Sequence, residues 1–298
     1  MESLQISRPA RVPAGAAGRM ISQSGAGIEM APPAVLLCGG AGQRMGDLAA
    51  AVPKPMLTVG GTPLLMHIMH TLATHGSDEF VLAIGHLGNV VKDFFLQFQA
   101  YAGDFTIRLG RQPSVAVHGE FPEEGWQVTC ADTGEQAGTG TRLRAAARLV
   151  PRWPIIVAYG DVLADVDVGR LMKFHRAHGR LATVTAAAPP ARFGHLALTE
   201  DHRVSRFDEK RLAEQPAAEA GLVSIGFFVL EKAAVERYIP ADRDVMFEED
   251  PIRELAADGE LMAYRHDGYW QPIDTPKELA TARGEWDSGN APWKVWQT

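Results

Sequence analysis

Short apolar segments alternate with amphipathic segments from Ala34 onward, and this alternation limits the possible folds more than any other feature of the sequence. Several of the apolar segments are apolar at every position, as expected for strands covered on both faces. The intervening segments carry apolar residues at the spacing of one helix face. The predicted strands are 34–38, 80–85, 154–161, 181–188 and 221–230, and the predicted helices are 64–76, 90–98, 141–149 and 168–179. This order predicts an α/β fold with a mostly parallel sheet, in which ligands bind beyond the carboxyl ends of the strands.

The chain has 298 residues, a length that by itself suggests about two domains. Residues 1–33 contain many glycines and prolines and few large apolar side chains, so we predict a disordered N-terminal tail there. The motifs described below are spread over the remaining sequence and must reach one pocket. We therefore predict that residues 34–298 form a single domain.

Composition excludes several classes of protein. Acidic residues number 36 and basic residues 29, a net charge of −7, which argues against a nucleic-acid partner because that affinity depends mostly on Lys and Arg. No apolar run approaches the roughly 18 to 20 residues that cross a bilayer, so no membrane partner is predicted. Cys38 and Cys130 lack the spacing of a disulfide framework or a zinc site, which favours a reducing, cytoplasmic environment.

Three glycines directly follow the first predicted strand. Gly39, Gly40 and Gly42 allow several backbone N–H groups to point into one concavity that binds an anion. Arg44 and Lys54 add positive charge around the same space. Together these residues suit a triphosphate.

Other interpretations of this loop can be compared with the sequence. The dinucleotide fingerprint GxGxxG needs Gly or Ala where Met45 stands, and the Gly-Lys-Ser/Thr end of a Walker loop does not occur here. A glycine-rich turn with two solvated basic residues is the simplest alternative, and the loop taken alone would favour it.

Two aspartates, Asp161 and Asp274, are candidate metal ligands. Two carboxylates about 4 Å apart repel by roughly 4 kcal/mol at an effective dielectric near 20, and a divalent cation between them reverses the sign. Oxygen ligands beside a triphosphate favour Mg²⁺. The simpler roles are a strand-end cap for Asp161 and an N-cap of the following helix for Asp274, and the residues alone favour the N-cap role for Asp274. Asp165 and Asp167 open a predicted helix, where acidic side chains are favoured, and are interpreted as structural.

Further polar residues have both a functional and a simpler interpretation. Arg142 lies in a Gly-Thr loop that opens a predicted helix, so backbone donors and a guanidinium converge where a base or phosphate could bind. Glu209 and Lys210 are adjacent, and a solvated surface pair is their simplest interpretation. Trp293 and Trp296 are expected to pack or to anchor an oligomer rather than to stack on a ligand.

The loop GGAGQRM and the PKPM segment that follows it resemble the pyrophosphorylase signature of the sugar-phosphate nucleotidyltransferases. The similarity extends over nearly all of 34–298, through DTGEQAGTGTRL, YGDVLADVDV, FDEK, GFFVLE, YWQPIDT and APWKVW in that order. These blocks look like the glucose-1-phosphate cytidylyltransferase branch, and the DTG…TG-x-RL and APWK-x-W elements are the most specific to it.

The resemblance implies a three-layer, mostly parallel, Rossmann-like α/β fold of the nucleotidyltransferase type, with a small sugar-binding or C-terminal extension. It implies transfer of a nucleotidyl group from a nucleoside triphosphate, expected to be CTP, to a sugar 1-phosphate, with release of pyrophosphate. Mg²⁺ is the implied cofactor. The implied partners are these two small molecules and further copies of the chain in a homo-oligomer.

Functional residues are carried over by position. Arg44, Lys54 and Asp161 are implied to be catalytic, and Asp161 binds the metal together with Asp274. The implied nucleotide-binding residues are Gly39, Gly40, Gly42, Gln43, Arg44, Lys54, Thr139, Gly140 and Arg142. The implied sugar-phosphate-binding residues are Glu209, Lys210, Ser224 and Trp270. An acidic protein that binds a tetra-anionic nucleotide needs local positive charge, which we assign to Arg44, Lys54, Arg142, Lys210 and the metal.

Departures from the family pattern leave the substrates open. Ser224 and Ile225 stand where the family has Asn-Gly, Arg211 replaces a proline, and Val162 replaces a glycine and is expected to restrict the backbone beside the metal. The alternatives are another base, another sugar or cyclitol phosphate, and a catalytically silent nucleotide-sensing homologue. A nicotinamide-dependent oxidoreductase is weakened by Met45.

Overall fold

The structure is a computed structural model that describes residues 31–40, 42–109, 114–119, 121–189, 195–198, 204–208 and 221–296. One compact unit comprises Ala31–Thr298. Residues 1–30 of the predicted tail lie outside the described residues, so the tail and the single domain after it stay predictions. Residues 32 and 33 are buried, and the Pro33 carbonyl accepts from Ile156 N at 3.0 Å. The unit therefore begins before the predicted boundary, because this carbonyl extends the pairing of the first strand.

Strands and helices alternate along the described residues. The strands are β1 (Ala34–Leu37), β2 (Thr58–Val59), β3 (Thr62–Pro63), β4 (Glu79–Ile84), β5 (Phe105–Arg108), β6 (Ser114–Val117), β7 (Gln127–Asp132), β8 (Ile155–Tyr159), β9 (Val162–Ala164), β10 (Ala182–Ala187), β11 (His195–Leu198), β12 (Val204–Asp208), β13 (Val223–Leu230), β14 (Leu261–Arg265) and β15 (Trp270–Pro272). The α-helices are α1 (Leu64–Thr74), α2 (Gly88–Leu96), α3 (Phe98–Ala102), α4 (Thr139–Ala146), α5 (Val168–His178), α6 (Lys232–Tyr238), α7 (Asp250–Ala257) and α8 (Pro276–Asp287). The predicted strands and helices are all present, with ends moved by at most three residues. No helix in these ranges is long and apolar enough to cross a membrane.

A seven-stranded sheet in the order β14-β10-β13-β8-β1-β4-β7 forms the centre of the fold. The neighbours β8, β1, β4 and β7 run parallel, as do β10 and β14. Only β13 is antiparallel to its neighbours in this sheet, which places its N-terminal end beside the carboxyl end of β8. The predicted α/β class with a mostly parallel sheet is confirmed.

Helices cover both faces of this sheet. Ala34 and Leu36 of β1 face a core that includes buried residues of α1, α5 and α8. Val35 and Leu37 face the opposite core, which includes buried residues of α4, α6 and α7. The strands are apolar at successive positions because both faces are covered, and the result is the predicted three-layer arrangement.

The C-terminal segment packs against α1 through a buried histidine. Trp293 is completely buried, and its Nε1 donates to Nδ1 of His67 at 3.3 Å. The other ring nitrogen, Nε2 of His67, lies 3.0 Å from the Val59 carbonyl oxygen. Since Nδ1 accepts a hydrogen bond, Nε2 must carry the proton and donate to Val59, so the imidazole is neutral. Trp296 packs on the ring of His70, with 5.2 Å between the centroids.

Acidification should weaken the fold through His67. Burial lowers the pKa of this imidazole from 6.5 to about 4, because the charged form loses its hydration. The unfolded chain therefore takes up the proton first, and stability that is present above pH 6.5 is lost as the pH falls toward 4. Between pH 7 and pH 5, urea unfolding should report a decrease of about 2 kcal/mol in the free energy of unfolding from this group.

The control is His67→Gln, which keeps a polar side chain but does not titrate in this range. Its free energy of unfolding should change less between the two pH values than that of the wild type. Equal changes in the two proteins would show that His67 does not carry the effect.

Candidate active site

The glycine-rich loop lies at the carboxyl end of β1. Gly42 has a φ of 62°, in the left-handed region that favours glycine. Met45 N donates to the Gly42 carbonyl at 2.8 Å, and the Met45 side chain is buried. The residue that breaks the dinucleotide fingerprint therefore anchors this loop in the core. Arg44 precedes it in the 3-10 helical segment Gln43–Ala49, with its side chain 70% exposed.

Lys54 contacts both predicted metal ligands. It begins the short 3-10 helix Lys54–Met56 and is 8% exposed. Its Nζ lies 2.6 Å from Oδ1 of Asp274 and 3.3 Å from Oδ2 of Asp161. The other oxygen of Asp274, Oδ2, lies 3.1 Å from a terminal nitrogen of Arg44. The structure thus brings together four residues that the sequence assigns to phosphates and metal.

A two-stranded ribbon holds the two aspartates side by side. Asp161 lies between β8 and β9, and Asp274 follows β15 by two residues. β9 pairs antiparallel with β15, with Val162 opposite Pro272, and Ile273 N donates to the Asp161 carbonyl at 2.9 Å. Val162 is buried in an ordinary strand, a conformation that β-branched residues favour. The strand thus accommodates its side chain beside Asp161.

Asp274 does not cap the helix that follows it. Thr275 is the N-cap of α8, and its Oγ1 accepts from Glu278 N at 3.3 Å. The Glu278 carboxylate in turn accepts from Thr275 N at 2.8 Å, which completes a capping box. The N-cap interpretation of Asp274 is therefore wrong, and its carboxylate contacts Lys54 and Arg44 instead. Asp167 does cap α5, accepting from Arg170 N at 2.9 Å, as its structural interpretation predicts.

Burial raises the pKa of Asp161 above its ordinary value, because the carboxylate loses hydration. The charge and hydrogen bond of Lys54 oppose this rise, and the negative charge of Asp274 adds to it. The ionised form of Asp161 therefore depends on a cation beside it. Within the described ranges, no cluster of three or more His, Cys, Asp or Glu side chains could hold a metal ion.

Arg142 lies beneath the glycine-rich loop with its guanidinium buried. One terminal nitrogen donates to the Gly134 carbonyl at 2.6 Å and to Thr133 Oγ1 at 2.9 Å. The other donates to the Glu135 carbonyl at 2.9 Å. A Cβ on Gly39 would overlap this guanidinium. Arg142 therefore supports the loops that follow β1 and β7, and its direct contact with a nucleotide stays a prediction.

Residues 244–248, which we call the strap, cover the N-terminus of α4. The Val245 carbonyl accepts from Gly140 N at 3.0 Å. Thr139 Oγ1 donates to the carboxylate of Glu248 at 2.5 Å. These donors of the Gly-Thr loop are thus engaged within the protein, whereas the sequence predicts that they face a ligand. A nucleotide contact of Thr139 or Gly140 stays a prediction.

The sequence predicts no role for the strap. Asp244 accepts from Gly138 N at 2.8 Å, and hydrogen bonds from Thr141 and Gly138 lower the pKa of its carboxyl. The strap therefore positions the N-terminus of α4, the helix that carries Arg142. Gly138 and Asp244 are 106 residues apart, so no local spacing in the sequence could have linked them.

Ser224 and Trp270 lie at the same edge of the sheet as Asp161. Ser224 is exposed in the N-terminal part of β13, which lies beside the carboxyl end of β8. Trp270 Nε1 donates at 3.3 Å to the Ala188 carbonyl, directly after β10. Ile225 is buried in the core and does not line this edge. The added bulk at that position is thus absorbed by packing.

Part of the predicted site lies outside the described residues. This applies to Glu209 and Lys210, which the sequence assigns to the sugar phosphate, and to Arg211 beside them. The side chain of Gln43 is likewise not described, although its backbone belongs to the 3-10 segment. The roles of these residues stay predictions.

Comparison with known proteins shows similarity over most of the chain. Residues 33–287 match the family model described as nucleotidyl transferase. A glucose-1-phosphate cytidylyltransferase from Salmonella typhi is 37% identical over 266 residues, which cover 89% of this chain and 99% of that protein. A mannose-1-phosphate guanylyltransferase from Mycobacterium tuberculosis is 28% identical over 263 residues, which cover 87% of this chain and 66% of that protein. The crystal structure of HddC from Yersinia pseudotuberculosis, also solved with GMP-PN, has a TM-score of 0.60 at 21% identity, covering 86% of this chain and 99% of HddC.

Gly39→Ala should destabilise the protein, because the added Cβ overlaps the guanidinium of Arg142, which several carbonyl acceptors hold in place. We expect a loss of about 1 to 3 kcal/mol in the free energy of unfolding, measured with urea. Gly40→Ala is the matched control, since it adds the same methyl group one residue later, where no described atom beyond the two chain neighbours lies within 4 Å. A change of about 0.5 kcal/mol or less is expected there. Equal losses in the two variants would contradict the packing of Arg142 against Gly39.

Proposed function

Since this chain belongs to the sugar-phosphate nucleotidyltransferase family, we propose that it transfers CMP from CTP to a sugar 1-phosphate, with glucose 1-phosphate as the first candidate acceptor. The resemblance to this family in the sequence is confirmed by the family match and by the cytidylyltransferase relative. One observation above all supports the assignment of the site. Lys54 contacts Asp161 and Asp274 together at the carboxyl edge of the sheet, where an α/β protein binds its ligands.

The two aspartates fit a divalent cation that is shared with a bound triphosphate. Their carboxylates both contact the ammonium of Lys54, so the space between them accepts positive charge. Mg²⁺ commonly takes one or two carboxylates and completes its shell with phosphate oxygens and water. We therefore propose Asp161 and Asp274 as its protein ligands. Bound there, it would neutralise charge on the reacting phosphates.

The reaction forms a bond between a sugar-phosphate oxygen and the α-phosphorus of the triphosphate, and it breaks the bond from that phosphorus to pyrophosphate. Such transfers depend on positioning and charge neutralisation more than on a side-chain nucleophile. Arg44 and Lys54 bind phosphate oxygens and stabilise the charge on the departing pyrophosphate. Backbone N–H groups of the glycine-rich loop orient the same phosphates.

The acceptor binds on the β13 side of the crevice in this proposal. Ser224 and Trp270 contact the sugar, Glu209 accepts from its hydroxyls, and Lys210 pairs with its phosphate. Ser224 and Trp270 lie at the same sheet edge as Asp161, which supports their part in this assignment. We also propose a cytoplasmic location, supported by the free thiols of both cysteines.

Pyrophosphate release should be measured with CTP, UTP, GTP and dTTP, each combined with several sugar 1-phosphates and Mg²⁺. We expect CTP to give the highest kcat/KM. Turnover with CTP no higher than with the other nucleotides would refute the base assignment. Nucleotide binding without release for any pair would indicate a sensor rather than an enzyme.

Asp161→Asn connects this activity to the site. It removes a carboxylate from the proposed metal position, and we expect kcat to fall by about a hundredfold or more while the urea unfolding transition remains cooperative. Asp267→Asn is the charge-matched control, because Asp267 is an exposed partner of Arg265 and contacts none of the proposed ligands. Unchanged turnover in Asp161→Asn would remove Asp161 from the mechanism.

We further propose that the protein is a homo-oligomer. Phe105, Ile107 and Val115 are exposed on the hairpin of β5 and β6, and the pairing of Ile107 with Val115 places them on one face. A two-stranded hairpin is marginally stable by itself in water, so an exposed apolar face favours contact with another subunit.

Ile107→Lys should therefore lower the molar mass measured by light scattering after size-exclusion chromatography, because it places a charge within the apolar face. Thr106→Lys adds the same charge to the opposite face of the hairpin and should leave the molar mass unchanged. If both variants keep the mass of the wild type, this face is not a subunit interface.

A further inference from the structure

The two carboxylates proposed as metal ligands already contact a cation that belongs to the chain. Nζ of Lys54 lies within 3.3 Å of both, and the Lys54 side chain is 10% exposed. Arg44 reaches Asp274 from the solvent side, at its other oxygen. The two basic and two acidic side chains therefore sum to zero formal charge.

The backbone of Lys54 is held in place, so only its side chain can change position. Met56 N donates to the Pro53 carbonyl at 2.8 Å, and Leu57 N donates to the Lys54 carbonyl at 3.0 Å. The segment that carries these bonds is buried between Pro53 and Leu57. The four-carbon side chain of lysine is flexible, which allows its ammonium to rotate toward other acceptors.

An ammonium and a divalent cation cannot share these carboxylates at low cost. Like charges within about 4 Å repel strongly at the dielectric of a partly buried site. A metal that binds Asp161 and Asp274 must therefore meet the charge of Lys54 or displace it. The phosphates of a nucleotide offer that ammonium alternative acceptors.

We propose that Lys54 competes with the divalent cation for Asp161 and Asp274, so that the metal binds tightly only after nucleotide phosphates have drawn the ammonium away. Lys54 is then a positioning residue for the metal as well as a phosphate ligand. Binding of nucleotide and metal becomes cooperative, and by linkage each increases the affinity for the other. This inference rests on the proposed function only for the identity of the metal site.

The test measures Mn²⁺ binding to the full chain without nucleotide, by the electron paramagnetic resonance signal of free Mn²⁺. We expect weak binding by the wild type. Lys54→Met should bind one Mn²⁺ per chain about tenfold more tightly or better, because the competing charge is gone. The double variant Lys54→Met with Asp274→Asn should lose that gain.

Two further variants control for charge and for folding. Lys277→Met removes one positive charge from an exposed residue three positions after Asp274, and it should bind Mn²⁺ as the wild type does. Lys54→Gln replaces Lys54→Met if the latter does not unfold cooperatively in urea. It keeps a polar group between the carboxylates, and the same increase in Mn²⁺ affinity is expected.

Mn²⁺ binding that is no tighter in either Lys54 variant than in the wild type would overturn the proposal. A gain that persists after Asp274→Asn would overturn it as well, because the metal would then bind elsewhere. The experiment uses neither nucleotide nor turnover. A chain that releases no pyrophosphate can therefore still show the competition between Lys54 and the metal. An active enzyme whose Lys54 variants bind Mn²⁺ no more tightly refutes this competition and leaves the proposed function standing.

Discussion

The ammonium of Lys54 is the contact on which the rest of the site depends. It contacts both Asp161 and Asp274, which lie 107 and 220 residues after Lys54 in the sequence, and so joins distant parts of the chain. Each charged side chain would be costly to bury by itself, because burial removes its hydration and only an opposite charge compensates for that loss. The charge and hydrogen bond of Lys54 oppose the rise that burial causes in the pKa of Asp161. The charges of Lys54, Asp161 and Asp274 therefore depend on one another.

Arg142 has the corresponding role on the other side of the glycine-rich loop. Its guanidinium is satisfied by carbonyl oxygens of the loop after β7, so its charge organises backbone instead of pairing with a carboxylate. Gly39 and Gly85 are required beside it, because a Cβ at either position would overlap the guanidinium. The glycines of this region thus serve close packing against an arginine, in addition to the approach of phosphates that the sequence predicts for Gly39.

The sequence predicts five of the seven strands of the central sheet, because β1, β4, β8, β10 and β13 are largely buried and therefore mostly apolar. It does not predict the edge strands β7 and β14, which are only partly buried and contain polar residues. β9 and β15 escape prediction because each has three residues and its partner lies about a hundred residues away. Local motifs predict the four charged residues of the site, yet only the ribbon of β9 and β15 brings the two aspartates together. These four residues are Arg44, Lys54, Asp161 and Asp274. The donors of its predicted loop assign Arg142 to the nucleotide, and the family resemblance assigns Thr139 to it. Nothing in that loop indicates that the strap and neighbouring carbonyls engage them.

The charges around the site limit how a tetra-anionic nucleotide can be bound. The sequence assigns the compensating charge to Arg44, Lys54, Arg142, Lys210 and a metal. Arg142 is buried under the loop, and the charges of Arg44 and Lys54 are balanced by the two aspartates. Releasing both basic residues to the phosphates would leave two carboxylates facing an anion, an arrangement that is repulsive at short range. A divalent cation on those carboxylates removes this repulsion. The proposed metal and the basic residues therefore depend on each other, because either alone leaves the phosphates beside uncompensated negative charge.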